Sequence, residues 1–212
     1  MLTEVNMKQR LSARGKTLRM VRMALLMALE VVLTLLYIPT PISTINLNFG
    51  LIPIVIAAVF LGPFSGMLIG CVSGVVTAIQ VVTVPSFFYT FLVTVNPVAA
   101  CVISVLKTAL AGFIIGMVYK AVSKGGKHSL LNYIMASALC PIVNSGVFAL
   151  GMFAFFGNAL QADPTLSTLG TGLVAIVFIG LIGVNFVVEF IVTTLLSPAV
   201  CKTLTAAKIF SK

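Results

Sequence analysis

The polar residues inside long apolar stretches are the ones that could do chemistry in this chain. Lys107 is a single cation within such a stretch, and a charge at bilayer depth costs about 2.5 kcal/mol or more, so it needs a partner or a ligand. Asn144, Asn185 and Glu189 lie in other apolar stretches. Asn185 and Glu189 share one helical face because they are four residues apart. These four side chains could hold a small polar ligand, with Lys107 on an anionic group.

Two interpretations of Lys107 stay open at this point. It contacts a ligand, or it only forms a structural pair with Glu189 or Glu30. Glu30 comes two residues after Ala28, about 200° around the helix from the pair Ala24 and Ala28. If the alanines face a partner, Glu30 therefore faces the interior of the bundle.

Motifs for enzymatic chemistry are missing from the sequence. It contains no Walker A loop, no H-E-x-x-H and no G-x-S-x-G. The single histidine, His128, lies in a basic loop, and the four cysteines stand apart in apolar surroundings (Cys71, Cys101, Cys140 and Cys201). The sequence therefore predicts no enzyme activity, no metal site and no cofactor.

Composition and charge place the chain in a membrane. Of its 212 residues, 60% are hydrophobic and 8% are charged, which is far from the composition of soluble domains. The net charge of +9 could suggest a nucleic-acid partner. The basic residues, however, flank the apolar stretches, so they are better explained as cytoplasmic topology anchors. We expect a multi-pass protein of the cell membrane that does not bind nucleic acid.

The apolar stretches predict an all-α integral membrane protein with six transmembrane helices and both termini cytoplasmic. The predicted spans are residues 20–38, 49–61, 64–84, 98–119, 130–156 and 172–200. The second is short, about 13 residues, but a hairpin at Gly62-Pro63 puts the basic amino terminus, the Lys120–Lys127 loop and the basic tail on one side. We expect one domain over 1–212, with a basic cytoplasmic segment 1–19, a bundle 20–200 and a cytoplasmic tail 201–212.

Small residues at four-residue spacing predict close helix packing. Gly66, Gly70 and Gly74 follow this spacing in the third span, and Gly112 and Gly116 follow it in the fourth. The segments between spans add polar and aromatic groups. The polar stretch ending at Asn48 and the aromatic segment Pro85–Pro97, which includes Asn96, are predicted to be outer loops that could close a cavity. Asn48 and Asn96 are therefore further candidate ligand contacts.

Three motifs in this layout resemble the substrate-binding S-components of energy-coupling factor (ECF) vitamin transporters. Ala24-Leu-Leu-Met-Ala28 is similar to the A-x-x-x-A motif of the first helix in that family. Leu61-Gly-Pro-Phe-Ser-Gly66 resembles its turn between the second and third helices. Asn185-Phe-Val-Val-Glu189, followed by Ser197-Pro198, resembles the last helix of many members.

The resemblance implies a division of labour. An S-component captures a water-soluble vitamin and docks, through Ala24 and Ala28, on a transmembrane coupling subunit driven by two ATPase subunits. One interior cation with nearby amides suits a small hydroxylated carboxylate such as pantothenate. Folate, riboflavin, a pyridoxine-like vitamin and a queuosine precursor stay open. The alternative is a solitary secondary transporter, proton-coupled through Glu30 or Glu189.

Overall fold

The computed structural model describes residues 2–36, 49–123 and 129–210, with the side chains of the first segment described from residue 15. Within these residues all regular structure is helical, as the sequence predicts, and forms seven helices and one short 3-10 turn, Leu166–Leu169. The helices are α1 (Leu2–Leu35), α2 (Leu51–Phe60), α3 (Pro63–Thr83), α4 (Phe87–Val95), α5 (Pro97–Val122), α6 (Leu130–Ala162) and α7 (Leu173–Ala206).

A tight turn at Gly62 joins α2 to α3 as a hairpin. Gly62 has φ +95°, a conformation that favours glycine, and Pro63 begins α3, where its missing N–H costs nothing. A Cβ built on Gly66 would lie 2.7 Å from the Cβ of Ala58, so the two helices run back along each other from the turn. The predicted chain reversal at Gly62-Pro63 is confirmed.

The glycine-rich faces of α3 and α5 pack directly against each other. A Cβ on Gly66 would lie 2.6 Å from the carbonyl oxygen of Gly112, and one on Gly116 would lie 2.5 Å from the Cα of Pro63. A Cβ on Gly70 would overlap the backbone of Thr108, whose hydroxyl donates to the Gly70 carbonyl over 2.7 Å. Both predicted packing faces are confirmed, and each is the partner of the other.

Two basic residues of α1 contact other segments at one end of the bundle. The Arg19 guanidinium donates to the Leu61 carbonyl over 3.1 Å, which ties α1 to the α2–α3 turn. Arg22 lies over the ring of Phe210, 5.1 Å from its centroid, and Phe210 stacks on Phe60 at 4.5 Å. We call this the basic end. The amino-terminal helix, the α2–α3 turn and the end of α7 therefore meet at one end of the bundle.

Four of the described helices are long and apolar enough to cross a membrane: α3, α5, α6 and α7. Helix α1 is long but carries Arg19, Arg22 and Glu30 in its apolar part. Helix α2 has ten residues, about 15 Å, and is almost wholly buried between its neighbours. The chain is a multi-pass membrane protein, while the count of six crossings stays a prediction.

The segment predicted as an outer loop contains a helix. Helix α4 fills most of the stretch between Pro85 and Pro97, and it buries Phe88, Tyr89 and Leu92. These positions recur at helical spacing, so folding the segment into a helix puts its aromatic residues on one buried face. The partly buried face expected for this segment is confirmed, but the prediction that the segment is a loop is wrong.

Helix α7 begins with a widened segment. Residues Ile176–Ile182 form a π-helical stretch, and Ile176, Val177 and Leu181 within it are fully or almost fully buried. π-helical stretches often lie beside functional sites because they change the register of the helix that follows. Here the stretch ends three residues before Asn185.

Candidate functional site

The buried polar residues lie between two separate apolar clusters. The basic-end cluster includes Leu26, Ile54, Ile115, Tyr133 and Cys201. The far-end cluster includes Phe88, Ile103, Met152, Phe156 and Leu181. On α5, α6 and α7 the residues between the two clusters include Lys107, Thr108, Asn144, Asn185, Glu189, Thr193 and Ser197. We call this set the polar layer.

Lys107 lies in the polar layer, partly buried, with two neighbours of different character. Its ammonium nitrogen is 5.3 Å from the ring centroid of Phe148 on α6, a cation–π distance. Its charge also interacts with that of Glu189 on α7. Three helices therefore contribute to the surroundings of this cation, and both interpretations of Lys107 stay open.

The amides at the same level are buried. Asn144 is 4% exposed and Asn185 is 5% exposed. In the part of the chain that the structure describes, the side-chain oxygen Oδ1 of Asn144 has no hydrogen-bond partner. A buried polar atom in that state requires an explanation, because leaving it unpaired costs about 1–3 kcal/mol. A ligand hydroxyl or an ordered water would satisfy it.

Glu30 faces the bundle, as its position relative to the alanines predicts. The side chain is 0% exposed and accepts a hydrogen bond from the Thr34 hydroxyl over 2.8 Å. Glu30 and Glu189 both lie within electrostatic range of the Cys140 thiol on α6. The two carboxylates therefore approach the same interior from α1 and α7.

Asn96 has a local structural task outside the polar layer. It precedes α5, and its side-chain oxygen accepts a hydrogen bond from the Ala99 backbone N–H over 3.0 Å, which caps the helix. It is eleven residues before Lys107, about 16 Å along the helix axis. Asn48 lies outside the described residues. The structure therefore brings Lys107, Asn144, Asn185 and Glu189 to one level and places Asn96 elsewhere.

Ala24 and Ala28 are exposed on the outer face of α1. Leu25, 66% exposed, and Val32, 57% exposed, lie on the same side of the helix, which makes a continuous apolar surface. Larger side chains flank the two small ones on this surface. Its exposure leaves it available to another helix.

Aromatic residues of α4 and α6 separate the polar layer from the far end. The Phe88 ring of α4 lies 6.4 Å from the Phe148 ring, which in turn contacts Lys107. Phe91 of α4 lies 6.4 Å from Phe156 of α6. The α4 segment therefore covers the layer through a chain of ring contacts. The aromatic residues between Pro85 and Pro97 had suggested that this segment could close a cavity, but the sequence did not identify Phe148 as its connection to Lys107.

These features define a multi-pass membrane protein with a buried polar layer between two apolar clusters. The model of the family described as "ECF transporter, substrate-specific component" matches residues 18–201. The match covers most of the chain, so the protein belongs to this family, as the three motifs predict. A comparison with curated proteins gave no match. The chain is thus a substrate-specific component of an ECF transporter, a family of transport proteins rather than enzymes.

Proposed function

We propose that this protein captures a water-soluble vitamin at the polar layer and delivers it through an ECF module. The module would consist of a transmembrane coupling subunit and two ATPase subunits. The observation that carries the proposal is the buried layer around Lys107 and Asn144 in a member of this family. The absence of a phosphate-binding loop in the sequence fits the need for separate ATPases.

Pantothenate is the vitamin that the layer suits best. Its carboxylate would lie against Lys107, and its hydroxyl and amide groups would pair with Asn144 and Asn185. Glu189, whose charge already interacts with Lys107, would hold the ammonium in position while the ligand binds. Riboflavin and pyridoxine-like vitamins have no carboxylate for Lys107, and folate has two carboxylates for one cation, so these vitamins rank below pantothenate.

The coupling subunit would dock on α1. Association of helices in lipid depends on close van der Waals packing, and small residues four apart allow it. Ala24 and Ala28 are exposed and have the required spacing. Because the alanines lie on the outer face of α1, docking there leaves the polar layer on α5, α6 and α7 undisturbed.

The basic end would face the cytoplasm. Arg19 and Arg22 of α1 make contacts at this end, and Lys120 and Lys202 lie near the ends of α5 and α7. Basic residues are retained on the cytoplasmic side of membrane proteins. With that orientation, six segments cross or enter the bilayer and both termini are cytoplasmic. The α4 segment then covers the polar layer from the outside, where the vitamin arrives.

Titration calorimetry with a panel of vitamins tests the substrate. The purified protein would be titrated with pantothenate, folate, riboflavin and pyridoxine, and small molecules that co-purify with it would be identified by mass spectrometry. We expect saturable binding of pantothenate and much weaker binding of the others. Tight binding of another vitamin would overturn the choice of pantothenate, and binding of none of them would overturn the proposed capture of these vitamins.

A further inference from the structure

Glu30 has one carboxylate oxygen whose surroundings point to a missing ligand. The side chain is completely buried, and its first oxygen accepts the hydrogen bond from Thr34 over 2.8 Å. Its second oxygen, Oε2, is buried and has no hydrogen-bond partner among the described residues. A buried carboxylate is strongly unfavourable unless its charge is balanced and its oxygens are satisfied.

The oxygen atoms around Glu30 come from two helices held in a fixed arrangement. The Thr34 hydroxyl lies 3.4 Å from the hydroxyl of Ser73 on α3, and Ser73 is 0% exposed. Gln80 of α3 donates to the Thr34 backbone carbonyl over 3.0 Å, which fixes this part of α1 against α3. Around Ser73, Gly70 and Gly74 pack on the backbone of α5. The hydroxyl oxygens are therefore preorganised.

The described arginines of α1 and the interior lysine of α5 have other partners. Arg19 donates to the Leu61 carbonyl, and Arg22 lies over the Phe210 ring at the basic end, eight residues or about 12 Å before Glu30. Lys107 of α5 interacts with Glu189 and Phe148. In the described part of the chain, the charge of Glu30 thus lacks a protein cation to balance it.

We propose that Glu30, Thr34 and Ser73 bind a monovalent metal cation of the size and hardness of sodium. Hard cations bind carboxylate and hydroxyl oxygens, and Oε2 would become a ligand instead of an unpaired acceptor. One carboxylate with neutral hydroxyls balances a single positive charge better than a double one. A proton on Oε2 would also balance the charge, but it would leave the stability of the protein independent of sodium. The site contains neither Cys nor His, which is why the sequence pattern predicted no metal ligands.

The bound cation would link α1 to α3 and stabilise the folded protein by mass action. The test is thermal unfolding of the full-length protein in detergent, followed by circular dichroism at constant ionic strength in sodium, potassium or choline chloride, without vitamin. We expect the Tm to rise with sodium concentration and to stay constant in choline chloride. In Glu30→Gln the sodium-dependent rise should disappear, and Glu189→Gln, which changes the other acidic side chain near Cys140, should keep it.

Direct binding of radioactive sodium to the wild-type protein, measured by scintillation proximity, gives a readout that does not depend on any variant folding. We expect saturable binding that unlabelled sodium displaces and choline does not, weakened about 10-fold or more in Ser73→Ala. Absence of saturable sodium binding to the wild-type protein would overturn the proposal. So would a sodium-dependent rise in Tm that persists in Glu30→Gln. Neither result bears on vitamin capture, which involves other residues.

Discussion

The ammonium nitrogen of Lys107 lies 5.3 Å from the ring centroid of Phe148. Phe148 in turn contacts Phe88 of α4, the helix that covers the polar layer. The only basic residue of the sequence placed in mid-span is thus connected to the covering helix through two aromatic rings. Movement of α4 would change the surroundings of the Lys107 charge. This connection joins the candidate ligand contact to the segment through which a ligand would enter.

Removing the Lys107 charge should weaken vitamin binding. Lys107→Met keeps a similar apolar stem, so the protein should still insert and fold. Loss of one charge-assisted hydrogen bond in a desolvated site should cost about 1.5–3 kcal/mol, roughly 10- to 150-fold in affinity for pantothenate by titration calorimetry.

The double variant Lys107→Met/Glu189→Gln is the control for a purely structural pair. If Lys107 only neutralises Glu189, the single variant should lose thermal stability because Glu189 is then buried without its partner charge, and the double variant should recover it. Unchanged affinity in Lys107→Met together with recovered stability in the double variant would contradict the binding role of Lys107.

A large residue in the alanine motif should block docking and leave vitamin binding intact. We expect Ala28→Trp to bind vitamin like the wild type in isolation but to lose co-purification with the coupling subunit and uptake in cells. Leu150→Trp is the matched control, since Leu150 is 69% exposed on the apolar surface of α6. Full uptake by a membrane-inserted Ala28→Trp protein would show that α1 does not dock through this face.

The α3–α5 contact should not accept a single extra carbon. In Gly70→Ala the new Cβ would overlap the Thr108 backbone, and overpacking of this kind costs about 1–3 kcal/mol. The same substitution at Gly146 of α6 places its Cβ in open space and should leave the Tm unchanged or slightly raised. Thermal unfolding of the two variants compares them directly. Equal Tm values would mean that the two backbones are not in contact as described.

Asn96 should affect stability and not affinity. Asn96→Ala removes the cap of α5 and should lower the free energy of unfolding by about 0.5–2 kcal/mol, while Asn96→Asp keeps an acceptor for the Ala99 N–H and should be close to the wild type. Vitamin affinity should be unchanged in both. A large loss of affinity in Asn96→Asp, with stability retained, would return Asn96 to the set of ligand contacts.

The sequence predicted the features that depend on helical periodicity. The spacing of Ala24 and Ala28 predicted that Glu30 faces inward, and the glycine spacing predicted the packing faces of α3 and α5. Periodicity along one helix does not identify the partner helix, so the pairing of those two faces required the structure.

Other features depend on contacts that periodicity does not encode. The prolines around α4 predicted a loop, but burial of Phe88 and Leu92 outweighed them. The widened stretch before Asn185 and the hydroxyl of Ser73 beside Thr34 have no sequence signal of their own, because each arises from packing between helices. The sequence therefore predicted that the polar residues lie at similar heights along their helices. Which side chains surround them depends on packing between the helices.

Transport by the reconstituted protein distinguishes ATP-driven delivery through an ECF module from transport by a solitary carrier. Liposomes would contain this protein alone or together with a coupling subunit and two ATPase subunits, and accumulation of radiolabelled pantothenate, folate, riboflavin and pyridoxine would be followed. We predict that the protein alone binds one of these vitamins but does not accumulate it, and that the full assembly accumulates it only with ATP inside the vesicles. Accumulation by the protein alone, driven by a proton gradient, would contradict delivery through an ECF module. It would favour a solitary carrier coupled through Glu30 or Glu189.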